Sequence, residues 1–133
     1  MKKEYLARII AKDNQGLQMI SAHCSNAKVK ITDIKYLSKN KIFLLSLERS
    51  RKLKEENLKV NSICKFEFIE SVKSKNINQN NRNLVLDLIT INLIKNKKNC
   101  EINLIFSNNE YITLYTEIIE VTLEDLKTIN LND

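Results

Sequence analysis

The chain has one glycine, no proline, no tryptophan and one histidine in 133 residues. At ordinary usage of about 7% glycine and about 5% proline, roughly nine and seven would be expected. A single glycine excludes the motifs that need several: the dinucleotide fingerprint, the phosphate loop, the kinase lid and the serine nucleophile elbow. One histidine excludes a multi-histidine metal site, and no cofactor or metal is expected. Cys24, Cys64 and Cys100 lie 40 and 36 residues apart, so no C-x-x-C pair exists for zinc or dithiol chemistry. An odd number at wide spacing fits reduced thiols in a cytoplasmic protein. No apolar run approaches the roughly 18 residues of a membrane span, and the charged start Met1-Lys-Lys-Glu-Tyr is unlike a secretory leader. A cytoplasmic protein without a membrane partner is expected.

What is present is a basic surplus. The net charge is +6 with a pI near 9.2, which invites a nucleic-acid reading. The surplus is uneven: residues 1–83 hold 18 basic and 8 acidic groups, residues 84–133 hold 4 and 8. Lysine, isoleucine and asparagine occur 18 times each and arginine 4 times. AT-rich codons produce that profile, and lysine lacks the bidentate fork that reads phosphate and guanine. Codon bias is therefore the simpler source of the charge. Hydrophobic residues at 43% and charged residues at 29% are ordinary globular usage, and the length suits one domain over 1–133.

Along the chain, 4–12 reads as a strand. Asp13 is an N-cap type, and Leu17, Ile20, Cys24 and Ala27 then form one stripe of a helix over 15–27. Beyond it the rhythm changes to two. Val29 and Ile31 alternate, then Ile34 and Tyr36 on the other parity, which predicts a bulge or bend near Thr32-Asp33. The 38–41 segment reads as a hairpin turn, 42–48 as a strand and 49–57 as a polar loop. A long strand is expected over 58–72, with Val60, Ser62, Cys64, Phe66 and Phe68 on one face. The 73–83 segment holds five asparagines and reads as a flexible loop. Strands follow over 84–94, 100–106 and 111–121, with a second hairpin turn at 107–110. Thr122-Leu-Glu-Asp125 resembles a capped start to a short C-terminal helix over 123–127, with a frayed tail after 129. The expected fold is α+β: an antiparallel, bent sheet or open barrel of about seven strands, with one N-terminal helix packed on it and a short C-terminal helix.

Several blocks along the chain carry a family likeness. They are Lys12-Asp13, Gly16-Leu17-Gln18, Ser21-Ala22, Asp33-Ile34-x-Tyr36-Leu37 and Phe43, then the run from Phe66 to Ile77. Leu86-x-Leu88-x-x-Ile91, Glu101 to Phe106, Ile112-x-Leu114, Glu117 and Leu123-Glu-Asp-Leu126 complete them. In this order the chain resembles a bacterial family of unknown function, family 2948, from about Lys12 to Leu126. The family usually has glycines in the turn that here holds Asn108-Asn109, and asparagine is the common substitute at positive φ. The resemblance implies a small bacterial cytoplasmic protein and transfers no catalytic residue.

Each candidate for chemistry has a plainer alternative. His23 and Cys24 point about 100° apart on a helix and cannot readily share a site; a surface histidine beside a core cysteine is simpler. Asp13, Asp33 and Asp87 could converge as acids, but Asp87 in an apolar strand more simply needs an ion-pair partner, for which Arg8 or Arg49 is available. Lys65-Phe66-Glu67-Phe68 faintly echoes an RNA-stacking strand, and core packing is the simpler account. The best binding candidates are Arg49, Arg51, Lys52 and Lys54 in the 49–57 loop. If Lys73 and Lys75 lie on the same edge, the six form a cationic patch; a solvated loop is the alternative.

No catalytic set emerges, so an enzyme is the weakest of three readings. The first is a non-catalytic binding module that docks a protein partner or self-associates, through a sheet edge or a dimer interface. The second is an RNA- or ribosome-associated protein using the basic N-terminal two-thirds, whose binding would fall steeply with salt.

Overall fold

A computed structural model describes residues 7–53 and 56–130, with side chains for 7–50 and 59–126. The chain enters as strand β1 (Arg8–Ala11) and turns into helix α1 (Asn14–Cys24). Asp13 ends the extended stretch, and its Oδ1 accepts from the Gly16 N–H at 2.8 Å, satisfying a free donor of the first turn. Leu17, Ile20, Ser21 and Cys24 form the buried stripe. The one glycine sits where α1 presses on β1: a Cβ at Gly16 would lie 2.9 Å from Ala11 Cα. Asn26, at φ 67°, turns the chain out of the helix.

Ten strands then make one mainly antiparallel sheet among the described residues. They continue as β2 (Ala27–Lys30), β3 (Ile34–Leu37), β4 (Ile42–Leu53), β5 (Glu56–Phe66), β6 (Ile69–Lys75), β7 (Val85–Lys95), β8 (Cys100–Phe106), β9 (Tyr111–Thr116) and β10 (Val121–Asn130). The spatial order is β1-β10-β5-β4-β2-β7-β8-β9-β6, with β3 also along β4. The parity change after Val29 is a 3-10 turn over Ile31–Asp33, between β2 and β3. Both hairpin turns fall where the sequence placed them. Lys41 (φ 56°) closes one, and Asn108 and Asn109 (φ 63° and 58°) close the other without glycine.

The expected seven strands become ten for local reasons. The 58–72 strand breaks at Phe68, whose φ of 61° turns the chain between β5 and β6 and leaves its ring 45% exposed. Phe66 alone of the pair is buried, edge-on to Phe43 at 6.0 Å. The 111–121 strand stops at Thr116, whose Oγ1 bonds at the corner to the carbonyls of Phe68 and Ile118, and β10 starts afresh at Val121 and covers the expected short helix. The 49–57 loop does not exist: β4 runs on to Leu53 and pairs with β5 through Leu53↔Glu56. The C-terminal helix is also absent from the described residues, since Leu123 to Lys127 belong to β10 and pair with β5. Lys73 to Lys75 belong to β6 rather than to the 73–83 loop.

The sheet curls over one core shared by α1 and the inward face of the strands. Helix α1 packs on β7 and β1. Ser21 Oγ accepts from the Ile91 N–H at 2.9 Å, just after a bulge between Leu88 and Thr90. A helix hydroxyl thus satisfies an amide beside the irregularity. β6, last in the path, comes back to the β3–β4 turn, where the Ile69 N–H donates to the Lys41 carbonyl at 2.8 Å. β6 meets the β3–β4 hairpin there without strand pairing, so the sheet is not closed.

Candidate functional site

Inward parity in β4 runs Phe43, Leu45, Leu47, Arg49, and in β10 Val121, Leu123, Asp125. The core therefore ends in an ion pair. Arg49 Nε and Nη2 donate to Asp125 Oδ1 and Oδ2 at 3.2 and 2.6 Å. Ser62 Oγ and the Ala7 N–H also donate to that carboxylate, at 2.6 and 2.8 Å. Arg49 is 6% exposed and Asp125 4%. Burial alone would raise the Asp125 pKa, but bonds from Ser62, Arg49 and Ala7 and the Arg49 charge hold it below the usual carboxylate range. The cluster fastens Ala7, before β1, to β10, β5 and β4. Arg49, expected in an exposed patch, has its guanidinium committed to Asp125 inside the fold.

Arg51 and Lys52 continue β4, and Lys54 lies outside the described residues. Lys73 and Lys75 are exposed on β6, and Lys73 Nζ stands 5.5 Å from the centre of the Tyr115 ring. β4 and β6 are not paired; Lys41, in the turn before β4, bonds the first two residues of β6, its carbonyl accepting from the Ile69 N–H and its amine donating to the Glu70 carboxylate. Among the described residues, then, Arg49 is withdrawn into the fold and β4 and β6 do not share an edge. Asp87 takes neither arginine: Lys28, opposite it in β2, makes the ion pair. His23 is exposed with Nδ1 on the Met19 carbonyl at 2.9 Å, while burial pushes the Cys24 thiol up to about 12 and Cys64 well above its ordinary value. A thiol held protonated is a poor nucleophile.

The feature not anticipated is the place where the sheet fails to close. Among the described residues, β3 pairs only with β4, and β6 only with β9. The Tyr36 hydroxyl donates to the Ile69 carbonyl at 2.7 Å, so both backbone groups of Ile69 are tied to the β3–β4 hairpin. Beyond Ile69 the two strands part around an open cavity of about 310 Å³. Ile31, Ile34 and Tyr36 line one side, Val72, Ser74 and Ile77 the other, and Phe43 and Ile112 lie in its depth. An apolar cavity of about 150 Å³ holds a benzene ring, so this one accepts one or two apolar side chains. Its walls carry no carboxylate, imidazole, amine or thiol, and the Gln79 amide donates to Ser74 Oγ at 2.8 Å. Such walls hold an apolar group; of their two hydroxyls, Tyr36 donates to the Ile69 carbonyl and Ser74 accepts from Gln79, and no residue of the lining is a carboxylate or imidazole base beside them.

Over residues 7–131 the chain matches the family described as protein of unknown function (DUF2948). The chain belongs to that family. No curated protein and no solved structure matches it. The matched span covers both the Arg49–Asp125 cluster and the open edge of β6. No helix among the described residues is long and apolar enough to cross a membrane.

A second, polar cavity of about 530 Å³ lies where β2 diverges from β4 after the single pair Lys28↔Glu48. Lys28, Lys30, Asp33 and Glu48 line it. Lys28 bonds Asp87 and Glu48 bonds Lys59, so the charges there are mixed in sign and two of them are paired with groups outside the lining. It carries no field that would select an ion.

Proposed function

We propose that this member of the family is a non-catalytic binding module that docks a protein partner at the free edge of β6. The observation that carries this is the conjunction of an unpaired strand edge with an apolar cavity beside it. An unpaired edge offers backbone donors and acceptors in a row, and an added strand completes the ladder. The cavity supplies what a ladder alone lacks, a socket for one alternate side chain of the incoming strand. We further infer a bacterial cytoplasmic setting, supported by Cys24, Cys64 and Cys100 as free thiols.

The test is selection of random peptides of about ten residues against the whole chain, followed by NMR mapping of where the enriched peptides bind. Shifts at β6 and at the cavity residues Ile34, Val72 and Ile112 are expected. Enriched peptides that shift only other regions, or the enrichment of none, would overturn edge docking.

A further inference from the structure

The free edge has two faces of opposite chemistry. Ile34 and Tyr36 of β3 and Val72 and Ser74 of β6 line the cavity. Successive residues of a strand point to opposite sides, so Lys35 on β3 and Lys73 and Lys75 on β6 stand on the outer side, and all three are exposed. Lys73, Lys75, Tyr111, Thr113, Tyr115 and Asn103 line a shallow outer hollow of about 440 Å³. The opening is lined within mainly by apolar side chains and is cationic along both outer rims. The acid on the edge strand, Glu70, is paired with Lys41 at 3.1 Å; Glu101, on the same outer face, stands two strands in on β8, and among the described residues Lys35, Lys73 and Lys75 make no ion pair.

We propose that the strand docked at β6 is an acidic one: an extended segment alternating apolar residues, which enter the cavity, with Asp or Glu, which face Lys35, Lys73 and Lys75. This rests on the edge docking proposed above and names the partner's chemistry. A strand added to β6 inherits the period of two, so its inward residues meet Val72 and Ile34 while its outward residues meet the lysines. Cross-strand pairs of opposite charge stabilise the addition, and like charges oppose it. Basic and neutral strands of the same apolar pattern are therefore discriminated against at the rims, while the cavity treats all three alike.

Three synthetic peptides of about nine residues test this, sharing the same alternating Val and Leu and differing only in carrying Glu, Gln or Lys between them. Binding to the whole chain is read by fluorescence anisotropy and by NMR shifts at β6, with oligouridylate RNA as a fourth probe. At about 50 mM salt the Glu peptide should bind about tenfold tighter than the Gln peptide, with the Lys peptide weakest, and the gap should close near 0.5 M. Lys73→Glu with Lys75→Glu should invert the order. The salt series on the unaltered protein keeps the test valid if that variant does not fold. Equal binding of the Glu and Gln peptides, with shifts at β6, overturns the acidic preference and leaves edge docking standing. Absence of β6 shifts with every peptide, including those enriched by selection, overturns edge docking itself. RNA that binds ahead of the Glu peptide and is lost in the charge-reversed variant overturns the proposal in favour of a nucleic acid.

Discussion

Where β4, β5 and β10 meet, a cation is drawn inside the fold: Arg49 is 6% exposed and its guanidinium grips Asp125 with two hydrogen bonds. Along β6 the cations stay in water, with Lys73 and Lys75 on the outer side of a strand that has no second neighbour among the described residues. The difference is one of strand parity and of partners. Arg49 falls on the inward side of a strand paired on both sides; Ser62 stands on the inward side of β5 beside it, and Asp125 on that of β10, one strand further. Lys73 and Lys75 fall on the outward side of an edge strand. Positive charge at one place holds strands together, and at the other is left free to select what arrives.

The comparison breaks most sharply at Asp125. Asp125→Ala leaves Arg49 buried and unpaired and should cost about 3–5 kcal/mol in urea unfolding. Replacing both partners, Arg49→Met with Asp125→Leu, should recover most of that loss. Recovery would show the ion pair to be a matched closure rather than a net source of stability. The close approach at β1 comes next. Gly16→Ala puts a methyl 2.9 Å from the Ala11 backbone and should cost about 1–3 kcal/mol through overpacking, read as a lower midpoint in thermal unfolding.

The pH dependence sharpens the same contrast. The Asp125 carboxyl is held below the ordinary value near 3.9 that it has in the unfolded chain. Its contribution is thus fully present above about pH 4 and lost as pH falls through the folded pKa. The urea midpoints of the wild type and Asp125→Asn should differ at pH 7 and converge in acid. At the open edge the effect on stability should be the smallest. Lys73→Ala with Lys75→Ala should stay within about 0.5 kcal/mol of the wild type, while binding of the Glu-bearing peptide falls about tenfold.

Much of this was legible in the residues. The helix stripe of Leu17, Ile20 and Cys24, the Asp13 cap, the bend at Ile31–Asp33 and both hairpin turns follow from period and turn chemistry. The 49–57 segment was hidden because Glu48 to Lys52 are polar on both parities, which looks like a loop. The inward step Phe43, Leu45, Leu47 continues to Arg49, just as Val121 and Leu123 continue to Asp125, and that shared parity was the available signal. The break at Phe68 carried none, because a positive φ at a phenylalanine is imposed by the surroundings rather than by its own preference. The open cavity was out of reach for another reason. Ile34, Tyr36, Val72 and Ile77 look like core positions, and only the strand order shows that β3 and β6 lack a neighbour between them.

Hydrogen exchange at individual backbone amides, with and without the Glu-bearing peptide, asks the central question most directly. The β6 amides that do not bond β9 should exchange quickly in the free protein and slow by about tenfold or more when the peptide is bound, while those of β10 beside Asp125 stay slow throughout. β6 amides as protected as β10 before any peptide is added, or unchanged by saturating peptide, would contradict an open edge that takes a partner strand.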